Sequence, residues 1–348
     1  MPPTSPTPAD MNQAVTLLAA GYLVAFPTET VYGLGANALD PKAVAKIYAV
    51  KRRPPTSPLI VHVASIEMAK SLVAAWPEAA ACLTKKFWPG PLTLVLPTKS
   101  DGQTVGTPVR AERHPILDLL DLDSKWWRKP RRIPPIVTAG LPSVALRMPD
   151  HRVALALLRR VGIPLAAPSA NRFTELSPTT AEHVRRSLGN DVDFILDGGP
   201  CEVGIESTVL SLVESQPVLL RPGIIPRALL EHFIGPIATT QEVPTGAHPA
   251  PGMHARHYSP RTRLFLVSNG ELPSQGRGVY LQHTRAPKYA GVAVVQMPGS
   301  AGDYAGRLYS TLHEADNANA DWIAVDLPPA AAEWEAVHDR LRRAAHRD

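Results

Sequence analysis

The run Lys51-Arg52-Arg53-Pro54 puts two kinds of anion-holding group next to each other. An arginine fork matches a pair of phosphate oxygens, whereas a lysine supplies a movable point charge. Around this run lie segments dense in hydroxyls and small residues. In PTETVYGLGAN (27–37), hydroxyls, a carboxylate and two glycines follow a predicted strand. Such a turn brings backbone N–H groups and hydroxyls close to a small polar ligand. APSAN (167–171) places Ser169 and Asn171 just beyond another predicted strand, where open α/β sheets bind ligands. In SPTTAE (177–182), Pro178, Thr179 and Glu182 read as a helix start with a capping box, and its free N–H groups and Ser177 suit a phosphate. Each segment also has a purely structural reading. Glycines serve turns, cations complement a helix C-terminus, and capping alone explains 177–182. His62 lies in an apolar strand, where a lone histidine is ordinarily a satisfied core residue. The segments 197–200, 204–209 and 219–223 are, one by one, turn signals.

The elements that position these segments follow from hydrophobic periodicity. Helices are predicted near 9–20, 42–50, 66–75, 152–161 and 179–188. Strands are predicted near 22–26, 59–63, 92–96, 144–147, 164–167, 194–196, 208–212 and 218–220. This alternation gives a mixed α/β domain over 1–232, interrupted by an insertion at about 99–132 that contains Trp126, Trp127 and a basic run. That insertion reads first as a solvated loop anchored by its tryptophans, and its basic run beside them would also suit RNA stacking. Residues 233–261 are rich in Pro, Gly, Thr and His and read as a linker. Over 262–348, strands near 263–267, 278–281, 292–296 and 322–325 alternate with two helical patterns. Tyr304, Leu308 and Leu312 share one helical face, as do Trp334, Val337 and Leu341. A small Rossmann-like domain is expected there, without a GxGxxG phosphate loop.

Bulk properties exclude several classes. Of 348 residues, 45% are hydrophobic and 19% charged, a globular rather than disordered balance. The 37 prolines argue for rigid loops over a helical bundle. A net charge of +5 is compatible with polyanionic substrates. Cys82 and Cys201 are the two cysteines, so neither a disulfide framework nor a structural zinc site is expected, and a metal site is not read from the protein's own side chains. No signal sequence or membrane-spanning stretch is recognisable, which implies a cytoplasmic protein.

Taken in order, PTETVYGLGAN, KRRPPTSPLIVHV, GPLTLVLP, VTAGLPSVALRMPDH, APSAN, SPTTAEHV, ILDGGPCEVGIESTV and LLRPG closely resemble the YrdC/Sua5 family of threonylcarbamoyl-AMP synthases. PGMHARHYSP (251–260) resembles the interdomain motif of its long, two-domain Sua5 form, which implies that the linker folds back over the cavity as a lid. The resemblance implies a YrdC-like twisted mixed sheet with helices around a deep basic cavity, plus the C-terminal Sua5 domain. It also implies a nucleotidyltransferase that converts L-threonine, bicarbonate and ATP, with Mg2+, into threonylcarbamoyl-AMP and pyrophosphate for N6-threonylcarbamoyladenosine in tRNA. A downstream tRNA threonylcarbamoyl transferase would be its partner, with possible tRNA contact. Carried over residue by residue, Thr30, His62, Arg147, Ala167 and Ser207 would hold threonine. Arg53, Ser57, Ser143, Ser169, Ser177, Arg221 and Tyr258 would hold ATP, and Lys51, Arg53 and Arg147 would serve catalysis. Ser57 stands where the family usually has Asn, and Ser143 where Thr is common.

The implied chemistry gives these cations a purpose. A neutral threonine amine attacks bicarbonate or carbon dioxide, and the resulting carbamate must approach a polyphosphate although both are anions. Lys51, Arg53, Arg147 and Arg221 are expected to converge and offset that repulsion. Two rivals compete with this reading. A carbamoyl-adenylate-forming carbamoyltransferase normally brings zinc-binding cysteines, which two cysteines do not supply. A non-catalytic RNA-binding protein would use the basic cavity and the insertion.

Overall fold

Short runs of β-branched and aliphatic residues bounded by Pro and Gly form most of the strands. The computed structural model describes residues 5–99, 132–239, 257–268, 271–283 and 291–346. The insertion and most of the linker therefore lie outside the described residues.

A ten-stranded mixed sheet has the order β10-β9-β8-β4-β5-β3-β6-β2-β1-β7. Its strands are β1 (Val24–Phe26), β2 (Gly33–Asn37), β3 (Ile60–His62), β4 (Leu92–Pro97) and β5 (Ser143–Arg147). They continue as β6 (Leu165–Ala166), β7 (Phe194–Ile195), β8 (Thr208–Ser211), β9 (Val218–Arg221) and β10 (Ala238–Thr239). Side chains alternate faces along a strand, and here that alternation separates core from cleft. Val61, Leu94, Leu146 and Leu210 face one large core beneath the helix Pro41–Lys51. Ile60, Val95, Ala145 and Val209 pack on the opposite face. By the same period, His62 lies beside Ile60 and Arg147 beside Ala145, and β3 and β5 pair with His62 opposite Arg147. At the other end of the sheet, the helices Pro8–Ala19 and Arg152–Val161 enclose Val24, Phe26 and Leu165 in a separate cluster.

The structure departs from the sequence expectation in several elements. Residues 33–37 form a strand, not a turn. Their glycines lack the β-branched signature of a strand, but they are needed: a Cβ on Gly35 would sit 2.7 Å from the Phe26 ring. The helix expected at 179–188 runs Ala181–Leu188 and is capped by Thr180, whose hydroxyl accepts from the His183 N–H at 3.2 Å. Glu182 is then too early for a capping box and pairs instead with Arg186 at 3.0 Å. Helices Glu78–Phe87 and Arg227–Ile234 were not anticipated.

The second sheet is all parallel, in the order β11-β14-β12-β13, with β11 (Arg263–Val267), β12 (Gly278–Gln282), β13 (Val292–Gln296) and β14 (Trp322–Asp326). Helices Ala301–Asp316 and Glu335–Ala345 bury the expected Tyr304, Leu308, Leu312, Val337 and Leu341. The two sheets share a core. Val31, Leu176 and Ile205 pack in one cluster with Tyr258, Leu308, Tyr309 and Leu341. At this seam Gly204 has φ +73 and lies so close to the Gly306 backbone that a Cβ would stand 2.6 Å from its carbonyl oxygen, so no other residue fits. Among the described residues, no helix is long and apolar enough to cross a membrane.

Candidate active site

The face bearing Ile60 and His62 is the floor of a half-open cleft. Three arginines from separate elements reach it: Arg53, Arg147 and Arg221, all buried.

Arg147 ends β5. Its Nη1 donates to Thr30 Oγ1 at 2.9 Å and its Nε to the Gly90 carbonyl at 3.3 Å. Its Nη2 lies 2.7 Å from Glu29 Oε1, an ion pair without hydrogen-bond alignment, so Glu29 keeps acceptor capacity. Thr30 is presented by a turn knotted around Thr28. The Thr28 hydroxyl donates to the Val31 carbonyl at 2.7 Å, accepts from the Val31 N–H at 3.2 Å, and lies 2.9 Å from Thr30 Oγ1. Such side-chain-to-backbone bonds are what Thr offers in turns.

Arg53 follows a helix that stops where Arg52 adopts a left-handed φ of 52. Its Nε donates to the Ser57 carbonyl and its Nη2 to the Pro58 carbonyl, at 3.3 and 3.0 Å. Burial lowers its pKa to about 10, so it stays cationic at neutral pH. Arg221 ends β9. Its Nε and Nη2 donate to the Ser207 carbonyl at 3.1 and 3.0 Å, and its Nη2 to Ser207 Oγ at 3.2 Å. Ser207 Oγ also lies 2.8 Å from Thr93 Oγ1.

His62 is 3% exposed, and its Nδ1 has no hydrogen-bond partner among the described residues. Burial, reinforced by the Arg147 charge, lowers its pKa to about 3. The imidazole is therefore neutral at physiological pH and a poor proton acceptor, suited to orienting a ligand rather than to general-base work. Tyr258 lines the cleft with a left-handed φ of 60, and its buried hydroxyl has no partner among the described residues.

Family comparisons agree with this architecture. A family model for Sua5/YciO/YrdC, described as telomere recombination, matches residues 16–120 and 124–223. A second, described as the threonylcarbamoyl-AMP synthase C-terminal domain, matches residues 225–346. The chain belongs to the Sua5/YrdC family. Its Sua5-type relatives include the threonylcarbamoyl-AMP synthase of Bacillus subtilis, 39% identical over 96% of this chain and 92% of that one. The Schizosaccharomyces pombe threonylcarbamoyl-AMP synthase is 34% identical over 99% and 90%. The crystal structure of Pyrococcus abyssi Sua5 complexed with L-threonine superposes with a TM-score of 0.80, at 36% identity over 96% of this chain and 94% of that one. The expected large mixed sheet with a smaller parallel one is thus the Sua5 fold.

Within this Sua5-family cleft, the structure brings together Thr30, Arg53, His62, Arg147, Ala167, Ser169, Ser207, Arg221 and Tyr258. Four other expected residues do not line it. Lys51 is buried behind the APSAN loop, where its Nζ donates to the Ser169 carbonyl at 2.6 Å and to the Asn171 carbonyl. It braces that loop, and the expectation of four converging cations becomes three. Ser177 turns its hydroxyl onto Glu206 Oε1 at 2.5 Å. Ser57 is buried, with its carbonyl engaged by Arg53 and by Tyr48 Oη. Ser143 shares a face with Arg147 but stands four residues, roughly 13 Å, along β5. Sequence reasoning missed Thr28, His257 and Glu206 as lining residues, along with Glu29 behind them. The two carboxylates were hidden because their arginine partners are remote in sequence.

His62 also predicts an acid limit to stability. Its folded pKa lies below the unfolded value of 6.5, so the stability it confers is complete above about pH 6.5 and lost as pH falls toward 3. Between pH 7 and pH 4.5 that linkage amounts to about 2–3 kcal/mol. Thermal melts should show the midpoint falling over this range, with a shallower fall in a His62→Asn variant. Equal slopes would show that His62 is not the group responsible.

Proposed function

We propose that the cleft condenses L-threonine, bicarbonate and ATP into threonylcarbamoyl-AMP and pyrophosphate, the activated intermediate for N6-threonylcarbamoyladenosine in tRNA. The observation that carries this reading is the convergence of Arg53, Arg147 and Arg221 on one cleft beside Thr30, His62 and Ser207. The named activity of the full-length relatives supports it.

In this reading Arg147 and Thr30 take the threonine carboxylate. His62 and Ser207 orient the rest of the amino acid, together with the Ala167 carbonyl, since the Ala167 N–H is committed to Ile60 O at 2.9 Å. Arg53, Ser169, Arg221 and the Tyr258 hydroxyl face the nucleotide, and Ser57, Ser143 and Ser177 lie behind or beyond it. The threonine amine adds to bicarbonate with loss of water. The carbamate oxygen then attacks the α-phosphorus, and pyrophosphate leaves. Two unit charges about 4 Å apart at an effective dielectric of 20 repel by about 4 kcal/mol. Three buried guanidinium groups are the right order of counter-charge, and catalysis reduces to positioning and electrostatics. Mg2+ enters as the metal–nucleotide substrate, held chiefly by phosphate and water. Among the described residues at the cleft, Glu206 is hydrogen-bonded and ion-paired to Arg340, and Glu29 is ion-paired with Arg147. A cytoplasmic setting, a downstream tRNA threonylcarbamoyl transferase and tRNA contact complete the proposal.

Pyrophosphate release tests it. Release should require threonine and bicarbonate together, and carbamoyl phosphate should not replace them. Release that ignores threonine would overturn the assignment.

A further inference from the structure

Glu206 is a carboxylate in the wall of a cleft assigned to a triphosphate. It is 6% exposed, immediately precedes Ser207, and belongs to the segment that feeds β8. An unpaired carboxylate there would repel the nucleotide and would be costly to bury. Its partner comes from the far end of the chain. Arg340, on the helix Glu335–Ala345 and 0% exposed, donates from Nε to Glu206 Oε2 at 2.8 Å and from Nη2 to the Glu206 carbonyl at 3.3 Å. Arg340 is itself anchored, with Nη1 on Asp339 Oδ2 at 2.6 Å and its guanidinium 5.3 Å from the Tyr258 ring centroid. Tyr309, on the helix Ala301–Asp316, donates to the same Glu206 oxygen at 3.1 Å. Ser177 donates to the other.

Two consecutive carbonyls are therefore gripped by two arginines of different origin: Glu206 by Arg340 and Ser207 by Arg221. Burial pushes the Glu206 pKa up, but the Arg340 and Arg221 charges and the Ser177 hydrogen bond outweigh it and hold the group ionised.

We propose that Arg340 is a positioning residue for the nucleotide half of the cleft, acting through Glu206. It neutralises the Glu206 carboxylate in the wall and fixes the 206–207 backbone, so that Ser207 and Arg221 face the substrates. The C-terminal helices thereby complete the catalytic wall without touching a substrate. This inference rests on the nucleotide reading given above.

The test uses the full-length chain with Arg340→Met, Arg340→Lys and the double variant Glu206→Gln/Arg340→Met. Thermal melts, ATP and threonine KM values and ATP binding by calorimetry are measured across pH 6 to 8.5. In Arg340→Met the KM for ATP should rise about ten-fold or more, with a smaller change in the KM for threonine. The defect should deepen as pH rises, because a Glu206 released from Arg340 is protonated at low pH and charged at high pH. Neutralising both partners in the double variant should recover most of the ATP affinity and remove the pH dependence. Should Arg340→Met fail to fold, Arg340→Lys, which keeps the charge and loses the fork, is expected to show a milder form of the same ATP-selective defect. An ATP KM within two-fold of wild type in a folded Arg340 variant, or equal loss for both substrates at every pH, would overturn the inference. If the wild-type chain shows no threonine-dependent release, the enzymatic reading fails instead, and calorimetric ATP binding still decides the role of Arg340.

Discussion

An Arg147→Met variant is expected to lose about three orders of magnitude in kcat/KM for threonine. Two effects add. Arg147 is the cation that faces Thr30 and the floor of the cleft, and losing a charge-assisted contact to a carboxylate costs a few kcal/mol. It is also the counter-charge to Glu29, 5% exposed and 2.7 Å away. Breaking a buried pair by removing one partner costs roughly 3–5 kcal/mol, because the survivor is left uncompensated. The second effect falls on stability and the first on substrate, so a double variant separates them. Glu29→Gln/Arg147→Met should regain much of the lost melting temperature but none of the threonine affinity. A threonine KM within a few-fold of wild type in either variant would remove Arg147 from the substrate site.

Arg221→Met should cost about two orders of magnitude in turnover and, unlike Arg147→Met, should weaken both substrates. Arg221 holds Ser207 by carbonyl and hydroxyl together and lines the cleft, where the proposed reading has it face the nucleotide. Removing it loses a phosphate-facing charge and leaves the Ser207 carbonyl without its donors, together worth roughly 2–4 kcal/mol. Arg221→Lys should recover only part of the loss, since one ammonium cannot reproduce the fork that spans Ser207 O and Oγ. Steady-state kinetics with each substrate varied in turn reads both effects. A selective effect on ATP alone would mean that Ser207 keeps its place without Arg221.

Most of the strand positions were legible because β-branched and aliphatic runs bounded by Pro and Gly leave few alternatives, and the C-terminal sheet was read almost to the residue at β11 and β13. β2 was hidden because its strand character comes from tertiary packing: Gly35 passes over Phe26 where any side chain would collide. The Thr180 cap was displaced by one residue because Thr179 and Thr180 offer the same local chemistry, and only the fold selects between them. Arg53 and Ser169 stood out by residue type and place, while Arg147, Arg221, Ser207 and Tyr258 came from the resemblance, and neither residue type nor motif gives a side chain's direction. Motif membership therefore grouped Lys51 with Arg53, although the first points behind a loop and the second into the cleft. Glu206 and Arg340 lie 134 positions apart, and no local pattern joins them. That contact also explains why the two sheets are not independent beads: the seam carries Gly204, a shared apolar cluster and a buried ion pair, all adjoining the cleft.

The central claim is that this cleft joins an amino-acid carbamate to an adenylate. It is tested most directly by incubating the protein with carbon-13 bicarbonate, L-threonine, ATP and magnesium and weighing the nucleotide product. The account predicts an adenylate that carries one threonine and one labelled carbonyl. An adenylate with no label, or AMP formed at the same rate without threonine, would contradict it.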